Sequence, residues 1–93
     1  MGKFRIEVTK EALKHIRKHF KSGNRLTIQT LEKIFIELEE TPYAGIGKPE
    51  PLKYQYNGFW SRQINKKDRV VYRVDEEIVT VFVVAAIGHY FDK

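Results

Sequence analysis

Cysteine is absent from this 93-residue chain, which excludes disulfides and thiolate-held metals as sources of stability or chemistry. Long apolar runs are absent too. The opening stretch, Met1-Gly2-Lys3-Phe4-Arg5-Ile6-Glu7, alternates charge with apolar residues and offers neither a signal peptide nor a membrane span. A cytoplasmic protein with no membrane partner is therefore expected. Internal repeats and low-complexity tracts are lacking. Acidic residues are in deficit, with twelve Asp and Glu against seventeen Lys and Arg, for a formal charge of +5. Such an excess concentrates polyanions such as RNA around the molecule. The charge is also segregated: residues 1–25 carry eight basic and two acidic side chains, residues 26–41 one basic and four acidic. Two different faces are implied.

What is present suits a folded domain. Apolar residues make up 42% and charged residues 31%, enough to bury a core and too apolar for a disordered tail. A chain of this length supports one core, so a single domain over residues 1–93 is expected.

Phe4, Ile6 and Val8 alternate with Arg5 and Glu7, the period of a strand with one buried face. Thr9 is placed to cap a helix in which Leu13, Ile16 and Phe20 recur, and Ser22-Gly23-Asn24 ends it. A second helix carries the stripe Leu31, Ile34, Phe35 and Leu38, and stops before Thr41-Pro42, because proline disfavours helical geometry in its predecessor. Tyr43 to Pro51 reads as a surface loop. Four strands then follow at Lys53–Tyr56, Phe59–Ile64, Arg69–Val74 and Ile78–Ala86, separated by turns. The last hardly alternates, as expected of a central strand covered on both faces. The predicted fold is α+β in the order βααββββ, two N-terminal helices packed on a twisted antiparallel sheet.

Several residues could carry chemistry. In Gly45-Ile46-Gly47-Lys48-Pro49-Glu50-Pro51 the spacing and terminal Ser or Thr of a phosphate-binding loop are missing. Pro49 and Pro51 instead stiffen the backbone on either side of Glu50. Glu50 is thus either a presented carboxylate or the solvated side chain of a connector. Glu11, His15 and His19 follow at intervals of four, a spacing open to a metal but read here as a polar helix edge. His89, beside Tyr90 and directly after Gly88, either plugs the end of the core or serves a site. Lys48, Lys53, Arg62 and Arg73 crowd the loop and hairpins, and Tyr43, Tyr54 and Tyr56 interleave with them as surfaces for stacking bases. Trp60 is assigned to the core. Arg69 and Arg73 share a strand face with Val71, where a cleft-facing arginine requires an anionic partner.

The run Thr41-Pro42-Tyr43, Gly45-Ile46-Gly47-Lys48-Pro49-Glu50-Pro51-Leu52-Lys53, Gly58-Phe59-Trp60-Ser61-Arg62, Arg69-Val70-Val71-Tyr72 and His89-Tyr90 resembles the Txe/YoeB branch of the RelE-like toxins. The matching motifs lie between Thr41 and Tyr90, and residues 1–40 agree in pattern only. The resemblance implies a ribosome-dependent endoribonuclease, the toxin of a type II toxin-antitoxin system, whose partners are a YefM-like antitoxin, the bacterial ribosome and mRNA. A homodimer is left open. It further implies that Glu50 is the acid/base carboxylate, Arg69 the transition-state arginine, and His89 with Tyr90 the terminal catalytic pair. Lys48, Lys53, Arg62 and Arg73 would hold RNA. Gln63 stands where relatives commonly carry a second arginine, and Phe91-Asp92-Lys93 extends past the usual His-Tyr end.

The implied chemistry is coherent. RNA can be cut by its own 2′-hydroxyl if a base takes that proton, a cation steadies the phosphorane and an acid protonates the leaving 5′-oxygen. Glu50, Arg69 and His89 fit these roles, with Glu50 favoured as the base and Tyr90 orienting phosphate or base. No cofactor or metal is expected, since no carboxylate cluster could hold paired Mg²⁺. The competing expectation is a binding module of RelE/ParE fold that poisons a partner such as gyrase, or binds RNA without cutting it. Convergence of Glu50, Arg69 and His89 in one basic cleft would discriminate against it.

Overall fold

The computed structural model describes residues 3–88. Strand β1 (Arg5–Val8) leads into α1 (Lys10–Ser22) and α2 (Arg25–Glu40), followed by β2 (Glu50–Pro51), β3 (Trp60–Gln63), β4 (Arg69–Asp75) and β5 (Thr80–Ala85). Both helices begin where a side chain can satisfy a free backbone N–H. The Thr9 hydroxyl accepts from the Ala12 amide at 3.1 Å and the Asn24 side chain accepts from the Thr27 amide at 3.1 Å. Gly23, at φ 73°, closes α1 in the left-handed conformation that glycine adopts without a Cβ penalty.

The five strands form one sheet in the order β1-β5-β4-β3-β2. From β2 to β5 neighbours are antiparallel, as expected, but β1 joins the edge parallel to β5, pairing Arg5 with Thr80 and Val8 with Val83. The sheet is therefore mixed: the two-helix connection delivers β2 running opposite to β1, and the three reversals from β2 to β5 leave β5 running alongside β1 in the same direction. The element order βααββββ stands, with one shift: the first strand after the helices is Glu50–Pro51, inside the expected loop. Lys53–Tyr56 is no strand, since Tyr54–Tyr56 forms a 3₁₀ turn in which the Tyr56 amide donates to the Lys53 carbonyl. Pro51 has no amide to donate, which suits a two-residue edge strand.

Leu31, Ile34 and Leu38 of α2 meet Val70 and Tyr72 of β4 and Val81 and Val83 of β5, with Phe4 and Ile64 at the margins. Helix α1 departs from expectation. Leu13 and Phe20 are 40% and 48% exposed, whereas Ala12, His15 and His19 are buried, the histidines at 6% and 7%. Ala12 permits close approach to β5, and the imidazoles supply what an apolar stripe could not: partners for buried backbone polar groups. His15 Nδ1 accepts from the Ala86 amide at 3.0 Å, and His19 Nε2 donates to the Ala86 carbonyl at 2.7 Å.

Ala86 is placed there by a β-bulge. Val71 pairs with Ala85 but Tyr72 pairs with Val83, so Val84 is the extra residue. The bulge reverses the alternation that follows it. Ala86 consequently joins the core on the helix side, while Ala85 lies opposite Val71 on the other face.

Candidate functional site

Strand alternation sorts the candidate residues by face. Val70, Tyr72, Val81 and Val83 face the helices, so Arg69, Val71, Arg73 and Phe82 belong to the opposite face. Register then assembles a row across four strands, Glu50–Ser61–Val71–Ala85, with Gln63 paired to Arg69 in the adjoining row. Glu50 and Arg69 are thus on one sheet face, two strands and two residues apart. From strand spacing and rise their Cα atoms are about 12 Å apart, a separation that two long side chains can close on a phosphate. Glu50 is exposed and Arg69 half-buried. Arg73 completes the arrangement beside Phe82, its guanidinium carbon 4.3 Å from the ring centroid, a cation-π contact.

The loop that delivers Glu50 is fixed from below. Arg62 pairs with Val70 and therefore shares the helix face. It is 0% exposed, which corrects its expected role in RNA binding: no phosphate can reach it. Its NH1 donates to Glu37 Oε1 at 2.6 Å and to the Ile46 carbonyl at 3.3 Å, and its NH2 donates to the Thr41 and Ala44 carbonyls, each at 2.7 Å. Nε donates to the Tyr72 hydroxyl at 3.3 Å, which itself donates to the Pro42 carbonyl at 2.6 Å. A buried guanidinium with every nitrogen satisfied is the condition under which its charge is tolerated. Desolvation pushes the Glu37 carboxyl up, but the Ile46 amide and the Arg62 guanidinium outweigh it and hold it below the usual carboxylate range. Gly45, at φ 133°, has no alternative, since any Cβ there would collide with the Glu37 carboxylate.

Lys48 and Lys53 are exposed on either side of β2. The expected stacking surface is less uniform. The Tyr43 ring leans on Trp60 at 4.9 Å between centroids and its hydroxyl donates to Glu76 at 2.7 Å, while Tyr54 is exposed.

His89 and Tyr90 lie outside the described residues. The last described residue, Gly88, donates its amide to Asp68 Oδ1 at 2.9 Å. Asp68 immediately precedes Arg69. The covalent neighbour of His89 is thereby bonded to the covalent neighbour of Arg69. Asp68, His15, His19 and Glu37 were not among the predicted site residues. Only the regular Glu11, His15, His19 spacing signalled any of them, and it proves to serve a different purpose from a polar edge. Among the described residues no three His, Cys, Asp or Glu side chains gather to hold a metal ion, and no described helix is long and apolar enough to cross a membrane.

Comparison with known proteins agrees with this architecture. The family model for the YoeB-like toxin of bacterial type II toxin-antitoxin systems matches residues 8–90. Toxin YoeB of Mycobacterium bovis is 38% identical over 60 residues, covering 64% of this chain and 71% of that protein. Among solved structures, the YoeB/ParE toxin from Agrobacterium tumefaciens superposes with a TM-score of 0.83 at 29% identity, over 94% of this chain and all of that one. A YoeB-YefM complex from Staphylococcus aureus gives 0.76 at 28% identity, over 94% of this chain and 98% of its counterpart. With the family model spanning the helices, the Glu50 strand and the Arg69 hairpin, the chain belongs to the YoeB-like toxins of bacterial type II toxin-antitoxin systems.

Proposed function

We propose that this toxin is a ribosome-dependent, metal-independent mRNA endoribonuclease. The observation that carries the reading is the placement of Glu50 and Arg69 on one sheet face, with the backbone before His89 bonded beside Arg69. Glu50 takes the proton of the 2′-hydroxyl, which attacks the adjacent phosphorus; Arg69 balances the charge that grows on the phosphorane; His89 protonates the departing 5′-oxygen. Tyr90 orients the phosphate or base. Lys48, Lys53 and Arg73 hold the strand through its phosphates, a contact that carries no sequence information. The described residues form no base-reading module, so in-line geometry falls to the ribosome, which presents the mRNA at fixed position.

The acidic partner is a YefM-like antitoxin, by analogy with the Staphylococcus complex. An anionic segment laid across Lys48, Lys53 and Arg73 would block the same phosphates.

Primer extension on mRNA from a translating extract, with and without the protein, tests the reading. New stops that depend on the protein and on ribosome occupancy are expected, and purified mRNA should be cut far more slowly. Inhibition of gyrase without cleavage would replace the nuclease by a partner poison.

A further inference from the structure

The two arginines of β4 stand in different company. Register places Val71 in the row of Glu50 and Ser61, and Arg69 and Arg73 flank Val71 two residues to either side on the same face. Both are therefore about 12 Å from Glu50, and about 13 Å from each other, between Cα atoms. Arg69 opposes Gln63 on β3. Arg73 opposes Phe82 on β5 and lays its guanidinium over that ring, 4.3 Å from the centroid.

Both members of this pair are half-buried, and among the described residues no carboxylate pairs with Arg73. The acids nearest by register are engaged elsewhere. Glu7, across the sheet from Phe82, lies 3.7 Å from Arg5, and Asp75, next on the same face of β4, accepts from the Glu77 and Ile78 amides. A cation kept for its charge alone needs no ring beneath it. The ring fixes the plane of the guanidinium and covers one of its two faces, leaving the other to a second π surface. Phosphates bind the N–H edges of that plane, whereas unstacked bases bind its face. The ribonuclease reading above uses the edge of Arg73 and leaves the face unused.

We propose that Arg73 and Phe82 form a stacking platform for an unpaired base of the RNA, beside the phosphate held between Glu50 and Arg69. The proposal rests on that ribonuclease reading. The separation of about 13 Å between the arginines gives the stacked base to a nucleotide flanking the cut. A stack reads area and not base edges, so it favours purines over pyrimidines and specifies no single base.

Toxin affinity for ribosomes programmed with a codon made uncleavable by 2′-deoxy substitution tests this without relying on catalysis. Removing the base from one nucleotide at a time should cost the wild type about tenfold or more at one flanking position. Arg73→Lys keeps the charge and loses the plane; Phe82→Leu keeps apolar bulk and loses the ring. Each should cost a similar factor on the intact codon and nothing further on the abasic one. Phe82→Tyr, which keeps the ring, should retain the coupling to that position, where a purine should be preferred by about three- to tenfold. Should Phe82→Leu fail to fold, Arg73→Lys decides the matter. Wild-type affinity in Arg73→Lys, losses that add to the abasic loss at every position, or variants that weaken binding of an acidic antitoxin but of no RNA would overturn the proposal. A wild type that shows the position-specific coupling yet leaves the all-ribose codon uncut would instead refute the ribonuclease reading and leave the platform standing.

Discussion

Arg62 and Glu37 meet at 2.6 Å beneath the loop that carries Glu50, the arginine fully buried and the glutamate partly so. Glu37→Gln strands a buried cation, and Arg62→Ala frees the Thr41, Ala44 and Ile46 carbonyls together. Each should cost roughly 3–5 kcal/mol of stability, measured by urea denaturation. The carboxyl of Glu37 is held below its ordinary value, so the pair's contribution is complete above that value and lost as pH falls through the lower folded one. Glu37→Gln should accordingly flatten the acid limb of the stability curve.

At the alkaline end Tyr43 behaves in the opposite sense. Burial first, then the hydrogen bond to Glu76 and the repulsion from its charge, push its phenol up to about 12. The neutral form is favoured in the folded state, so its contribution is intact below the ordinary tyrosine value near 10 and disappears as pH rises to about 12. Tyr43→Phe should lessen the loss of stability across that window, read from denaturation midpoints at successive pH values.

Glu50→Gln and Arg69→Ala should separate activity from folding. Glu50 is exposed on a two-residue edge strand, so its substitution should move stability by no more than about 0.5 kcal/mol. Cleavage on programmed ribosomes should fall roughly a hundredfold or more for either variant. A normal rate in folded Glu50→Gln would remove it from the chemistry.

The nucleophile can be tested on the substrate. Replacing the 2′-hydroxyl by hydrogen at the cut nucleotide should abolish cleavage while binding survives, and the normal products should carry a 2′,3′-cyclic phosphate and a 5′-hydroxyl. Undiminished cutting at the deoxy position, or a 5′-phosphate product, would mean that water attacks instead.

Arg62 shows where local reading stops short. Trp60 was assigned to the core, and a residue two places on shares its face, so the burial of Arg62 was already written in the alternation. Its five acceptors were not, because Glu37, Thr41, Ala44, Ile46 and Tyr72 converge only when α2, the loop and β4 are in place. The stripe on α2 was legible for the contrary reason: Leu31, Ile34 and Leu38 bury by apolarity alone, which needs no particular partner. On α1 the same rule selected Leu13 and Phe20, while the Ala86 backbone claimed His15 and His19. The parallel seat of β1 was hidden as well. A strand's alternation reveals which face it buries and says nothing of the direction of its neighbour.

That parallel seat governs when the protein can come into being. Arg5 finds its sheet partner at Thr80, 75 residues further along the chain, and at typical elongation rates those residues take roughly 4–15 s to synthesise. Throughout that interval β1 has no neighbour in the sheet, and His15 and His19 have no Ala86 to bond. The last strand to be made is the one that joins β1 to the rest of the sheet. The edge of the sheet at β1 can consequently close only in a late step of folding, after nearly the whole chain has been made.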